Sequence, residues 1–365
     1  MKVLQLISSA GQFGAENVIL ELSLALRQQG HDLVVGCFLN KHTPNADLIG
    51  AVKEHELPVV IFECAGKVDV KTIFRIASYV REHKVDVIHS HGYKANIYTY
   101  LANLIARKSL VSTCHNWIDS SGKMSLYSFL DKRFIKRFDF VVAVSQPVKQ
   151  ALLAAGIAEK NIRLISNGIN VEKFTVCGAS DLLCEVPADV TRIGCIGRLS
   201  EEKGLHYFLK AAQSLLNQSK KLCFIIVGDG PLKASLIKEA EQLGISGNVI
   251  FMGRREDIPE VLSSLDIFMM PSLTEGQPLA LLEAMAAGKP IIASGVGDIP
   301  KILKDGQLGI ITPPADSIRL VEAVQHYISH PDNAKKMSKD AKEEVVNYYS
   351  SERMAQEYGK IYISI

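Results

Sequence analysis

Several things are scarce in this chain, and each scarcity closes off a class of protein. The seven cysteines are an odd number with no C-x-x-C pair, which argues against a disulfide scaffold and a zinc ribbon. Most lie in apolar segments (Cys37, Cys195, Cys223), as reduced thiols of a cytoplasmic protein would. Cys177 and Cys184 fall in a poorly patterned stretch, and no pairing is expected between them. No apolar run approaches the ~18 residues of a membrane-spanning helix. The opening MKVLQLISSAGQFG has only about six apolar residues before a glycine-containing turn, so it reads as a first buried strand and not as a signal peptide. Asp-x-Asp, the usual carboxylate pair for Mg²⁺ or Mn²⁺, does not occur. The net charge is only +2, and no nucleic-acid partner is expected. That small sum conceals an asymmetry: residues 1–170 hold 20 Lys and Arg against 14 Asp and Glu, the remainder 21 against 25. A basic first half favours an anionic partner such as a membrane surface or a lipid-linked phosphate.

What is present is a globular α/β pattern. At 365 residues, 47% of them apolar and 22% charged, the chain exceeds one hydrophobic core, and two domains are the default. Short β-branched runs alternate with amphipathic helical stretches throughout, the signature of parallel sheets. Strands are expected at 3–7, 33–38, 59–62, 85–89, 110–114, 140–144 and 162–165. A second set follows at 192–196, 222–227, 249–251, 267–270, 291–293 and 309–311. Residues 177–189 between the sets have neither period and read as a linker. The expected division is 1–172, 173–349 and a terminal helical segment 350–365. Two doubly wound domains of this kind bind ligands at the C-terminal ends of their strands, facing one cleft.

The densest chemistry lies in residues 271–297, PSLTEGQPLALLEAMAAGKPIIASGVG. A strand ends at Pro271, a polar loop carries Glu275, Gly276 and Gln277, and Pro278 opens a run of helix formers that stops at Gly288. Free backbone N–H groups around Pro278, Leu279 and Ala280, at the positive end of the helix dipole, suit a diphosphate. Glu283, about one and a half turns in at 3.6 residues per turn, could accept hydrogen bonds from ribose hydroxyls. The loop carboxylate Glu275 could meet whatever is attached beyond the phosphates. Upstream, directly after a strand, comes Gly197-Arg198-Leu199-Ser200-Glu201-Glu202-Lys203-Gly204. A guanidinium and an ammonium five residues apart across a strand-to-helix turn can converge on one diphosphate.

These two strings resemble the E-x7-E and G-R-L-x-x-x-K-G motifs of the retaining glycosyltransferases of family 4, and the likeness extends over nearly the whole chain. Ser9-Ala10-Gly11-Gln12-Phe13-Gly14-Ala15-Glu16 is similar to the family's G-G-A-E loop, with Phe13 where a second Gly is usual. Ile165-Ser166-Asn167-Gly168-Ile169-Asn170 matches too, with Asn170 where Asp is usual. The resemblance implies a GT-B fold, two Rossmann-like domains across a cleft, with the last helix crossing back to the first domain. It implies a nucleotide-sugar donor, held in the second domain by Gly197, Arg198, Lys203, Glu275, Gly276, Gln277, Pro278, Leu279 and Glu283, with Arg254 near the base and Gly14 near donor phosphate or acceptor. His115, just past the fifth strand, resembles the family histidine that contacts the transferred sugar. His115, Arg198, Lys203 and Glu275 are thus the catalytic candidates. Retention without an evident carboxylate nucleophile implies front-face displacement. Fixed cations in place of a metal bridge imply that no metal or other cofactor is needed. The acceptor expected is a glycan or lipid-linked sugar.

Other features leave alternatives open. His89 and His91 alternate on a strand and could form a metal pair, but no third ligand is evident. His31 reads as structural. Residues 123–138, KMSLYSFLDKRFIKRF, fit a basic helix at an anionic membrane interface and equally a helix packed on its own sheet with a solvated basic face. A sugar-nucleotide epimerase, a phosphorylase or a silent nucleotide-sugar binder would share the two-domain design. A nicotinamide cofactor is disfavoured, since the first turn lacks full G-x-G-x-x-G spacing and the second strand ends Phe38-Leu39-Asn40 without an acid.

Overall fold

The computed structural model describes residues 1–8, 14–40, 47–65, 69–115, 126–175, 181–183, 185–219 and 221–365. Two compact units emerge, residues 1–169 joined by 351–365, and residues 170–350. The first is built on seven strands: β1 (Lys2–Ile7), β2 (Asp32–Asn40), β3 (Val59–Cys64), β4 (Val87–His91), β5 (Ser109–Cys114), β6 (Phe140–Ala143) and β7 (Ile162–Leu164). Their order is β3-β2-β1-β4-β5-β6-β7, and neighbours pair in parallel. The second holds β8 (Thr191–Ile196), β9 (Leu222–Val227), β10 (Val249–Gly253), β11 (Ile267–Met270), β12 (Ile291–Ser294) and β13 (Ile310–Thr312). These run β10-β9-β8-β11-β12-β13, again parallel.

Both sheets are doubly wound, which explains the apolar runs. A strand covered by helices on both faces needs no polar alternation, and LCFIIV of β9 is buried at all six positions. Each sheet has one place where strand order reverses, between β1 and β4 in the first unit and between β8 and β11 in the second. Loops leaving adjacent strands diverge there and open a crevice at the strands' C-terminal ends.

One strand lies two residues further along than its composition suggests. β4 is Val87–His91, not 85–89, because Val85 is spent on ending a helix. Helix Val70–Glu82 closes with Val85 N–H donating to the Val80 carbonyl, Lys84 N–H to that of Arg81, and Lys84 at φ 52°. That is a Schellman ending, with Val85 fully buried as its apolar contact. Lysine where glycine is usual hides the motif in the sequence. The shift places both His89 and His91 inside β4.

Helix Ser351–Ile363 belongs to the first unit. Its buried face, Met354, Ala355, Tyr358, Gly359, Ile361 and Tyr362, recurs at helical spacing and packs on helix Gly14–Gln28. The Met354 sulfur accepts from Gly168 N–H at 3.2 Å, and the Ile169 carbonyl accepts from Ser351 N–H at 2.8 Å. His31 packs edge-on against Tyr362.

Candidate functional site

In the second unit the candidate residues gather around the switch between β8 and β11. β8 is followed directly by Gly197 and Arg198, and a short 3-10 turn, Glu201–Lys203, precedes helix Leu205–Leu216. Gly204 joins the two at φ 61°, and a Cβ there would stand 2.2 Å from the Pro271 carbonyl oxygen. Only glycine lets the helix start close onto the end of β11. The loop after β11 is tied to the same turn, since the Glu202 carbonyl accepts from Leu273 N–H at 2.8 Å.

This closure brings together residues 72 positions apart. Lys203 Nζ donates to Glu275 Oε1 at 2.7 Å, and Ser272 Oγ donates to the same oxygen at 2.7 Å. The Glu275 side chain is 8% exposed and that of Lys203 24%, so the ion pair is well shielded and its geometry fixed. Arg198 is exposed beside it. Gly197, Arg198, Lys203 and Ser272 line one small cavity together with the buried ends of β8, β9 and β11. Burial pushes the Cys195 thiol up to about 12, with Lys203 and Glu275 acting on it in opposite directions; as an inert thiol it serves packing.

The loop from Glu275 leads into helix Leu279–Ala286, whose N-cap is Pro278 in extended conformation with no side chain capping it. Gln277 is buried and Glu283 half-buried one turn into the helix. Gly276 is held by the next strand's loop, its carbonyl accepting from Asp298 N–H at 3.0 Å. Gly297, at φ 59°, allows that approach; a Cβ there would lie 2.2 Å from the Glu275 carbonyl oxygen. Arg254 follows β10, two strands away from β8, and is exposed. Ser272 and Gly297 were not singled out from the sequence. A hydroxyl three residues before Glu275 in one tight loop was the available signal for the first.

In the first unit, His115 follows β5 directly. Ser9 to Phe13, Trp117, Lys123, Cys177 and Cys184 lie outside the described residues; Gly14 is the first residue of helix Gly14–Gln28. His91 Nδ1 sits 3.1 Å from His115 Nε2, with the rings stacked at 5.4 Å. Deeper in, His89 meets the Tyr362 hydroxyl through Nδ1 at 2.7 Å and Thr113 Oγ1 through Nε2 at 2.8 Å, and Tyr358 shares the Thr113 hydroxyl at 2.8 Å. Both ring nitrogens of His89 are therefore engaged by hydroxyls, which removes it from a metal pair. Among the described residues no three His, Cys, Asp or Glu side chains converge as a metal site. Burial lowers all three histidines, His89 to about 3, His115 to about 4 and His91 well below its usual value.

The basic segment forms helix Leu126–Phe134 and a 3-10 turn Ile135–Arg137. Ile135 and Phe138 are buried and Phe134 stacks on Tyr100 at 4.7 Å, so most of its apolar side packs on its own unit. Phe129 stays 54% exposed. It lines a shallow groove with Lys132, Arg133, Lys136 and the small residues Ala151, Ala154 and Ala155. Among the described residues no helix is long and apolar enough to cross a membrane.

Comparison with known proteins covers both units. The description "Glycosyltransferase Family 4" matches residues 14–173, and "Glycosyl transferases group 1" matches residues 185–344. The chain is 26% identical over 310 residues to the UDP-Gal:alpha-D-GlcNAc-diphosphoundecaprenol alpha-1,3-galactosyltransferase of Escherichia coli, covering 81% of this chain and 80% of that one. It is 24% identical over 367 residues to the N-acetyl-alpha-D-glucosaminyl L-malate synthase of Bacillus anthracis, covering 96% and 94%. Among solved structures, Anabaena HepE in complex with UDP and glucose is similar at a TM-score of 0.88 and 23% identity over the whole of both chains. Sucrose-phosphate synthase from Thermosynechococcus elongatus is similar at 0.82 and 19% identity, covering 100% of this chain and 98% of that one.

Proposed function

The chain belongs to the family 4 glycosyltransferases and has their GT-B fold, and we propose that it moves a hexose-type sugar from a nucleotide-sugar to a glycan or lipid-linked acceptor with retention of anomeric configuration. A UDP-sugar is favoured as donor, and cell-surface polysaccharide or glycolipid synthesis as the setting. The Escherichia coli relative's name, a galactosyl transfer from UDP-Gal to a diphosphoundecaprenol-linked sugar, supports both.

The observation that carries the reading is the Lys203–Glu275 pair at the β8/β11 switch. Both contacts to Glu275 fall on Oε1, so Oε2 keeps its lone pairs for sugar hydroxyls. Lys203 uses one N–H on Glu275 and retains two for a diphosphate oxygen, with Arg198 as a second cation and the uncapped start of helix Leu279–Ala286 offering amides. Glu283 is suited to the ribose hydroxyls. In the step itself the bond from the anomeric carbon to the donor phosphate oxygen breaks, and the bond to the acceptor oxygen forms on the same face. The acceptor's proton passes to the departing phosphate oxygen. Charge developing on that oxygen is met by Arg198 and Lys203, groups already in place before the reaction, so the reaction needs no bound metal.

Release of free UDP from a UDP-hexose only when acceptor is added, at an undiminished rate in EDTA, is the expected result. Strict dependence on added Mg²⁺ or Mn²⁺ would overturn metal independence. Thermal-shift comparison of UDP-, GDP- and ADP-sugars identifies the carrier. Peripheral contact with an anionic membrane is part of the same reading, through Phe129 and the cations Lys132, Arg133 and Lys136 around it. Flotation with anionic liposomes at low salt should carry the protein upward, and failure to float removes that contact.

A further inference from the structure

Of the three histidines at the C-terminal ends of β4 and β5, only His115 is a candidate to touch the transferred sugar, by its resemblance to the family histidine. His91 lies on the same face of β4 as His89, is 3% exposed, and places Nδ1 3.1 Å from His115 Nε2. Its other nitrogen, Nε2, is buried with no hydrogen-bond partner among the described residues. Among the described residues no acidic group acts on either ring: His91 packs against the His89 ring, whose own partners are the hydroxyls of Thr113 and Tyr362. Burial keeps both rings neutral at pH 7.

Two neutral imidazoles joined by one hydrogen bond have linked tautomers, because each ring carries one N–H and one lone pair. If His115 donated from Nε2, the single proton of His91 would sit on its own Nε2, a buried N–H without an acceptor. If His91 donates from Nδ1, its Nε2 holds only a lone pair, and the proton of His115 moves to Nδ1. A stranded donor is the costlier defect, and orphaned buried N–H groups are the rarer kind in folded proteins.

We infer that His91 is a positioning residue that holds His115 in the Nδ1–H form, so that His115 presents a hydrogen-bond donor to an oxygen of the transferred sugar. This rests on the reading of His115 as a sugar contact. Asparagine at position 91 keeps a side-chain N–H close to where the imidazole Nδ1–H stands, whereas phenylalanine fills the space with no donor.

Long-range ¹H–¹⁵N spectra of uniformly labelled protein distinguish the two tautomers of His115 without any turnover, the signal being assigned by its loss in His115→Gln. The wild-type protein should show Nδ1–H. His91→Phe should show a mixture of forms or Nε2–H, with kcat lower by about tenfold, the effect of losing one well-placed neutral hydrogen bond. His91→Asn should restore the Nδ1–H signal and most of kcat. An Nε2–H signal in the wild-type protein, which needs no variant to fold, overturns the inference, as does a signal that His91→Phe leaves unchanged. Nδ1–H in the wild type, with a tautomer that shifts in His91→Phe while kcat does not, overturns instead the part assigned to His115 in the reaction.

Discussion

Lys203 and Glu275 make opposite demands on a mutation. Lys203→Ala removes a cation from the proposed leaving group and also strands a carboxylate that is 8% exposed. Turnover should fall by more than about a hundredfold, the equivalent of ~3 kcal/mol of transition-state stabilisation. Stability should drop by about 2 kcal/mol through the unpaired buried charge. Adding Glu275→Gln to that variant should restore most of the stability and none of the turnover, which steady-state kinetics and urea melts on the same samples would separate. Equal losses in the single and double variants would mean that the pair is not coupled. Ser272→Ala, which leaves the ion pair and removes only the second donor to Glu275 Oε1, should cost about 1 kcal/mol at most in stability and lower kcat severalfold with little change in melting temperature.

At the scale of elements, helix Ser351–Ile363 supports the first sheet by hydroxyl contacts as well as by apolar burial. Tyr362→Phe keeps the ring and removes the partner of His89 Nδ1. A loss of about 1–3 kcal/mol should follow, visible as a lower melting temperature in calorimetry; an unchanged one would mean that the His89 nitrogen finds another partner. Most elements were legible as sequence, because strands buried on both faces announce themselves as β-branched runs bounded by turn residues. The Gly197–Gly204 turn and the E-x7-E loop were legible because their chemistry is local, each held in one short segment. What stayed hidden was non-local. Val85 belongs to a helix ending closed by a lysine in left-handed conformation, a role that no apolar pattern distinguishes from a strand start. The contacts of His89 span 273 residues to Tyr362 and 24 to Thr113, and those of His91 span 24 to His115. A single sequence carries no period that reports them.

Across the whole molecule the buried histidines set the response to acid. A histidine whose pKa falls on folding gives stability that is complete above its unfolded value of 6.5 and is lost as pH drops toward the folded value. For His89, lowered to about 3, that loss is ~2 kcal/mol at pH 5, and His91 adds to it in the same direction. The melting temperature should therefore decline by several degrees between pH 7.5 and 5, and a flat profile over that interval would contradict neutral burial of the pair. Synthesis imposes an order on the same unit. Residues 170–350 are synthesised before Tyr358 and Tyr362, so during synthesis His89 and Thr113 wait through the whole length of the second unit for the hydroxyls that satisfy them. The first half of the polypeptide to be made is thus the last to be completed, and a chain truncated before residue 351 would lack the segment that seals its first unit.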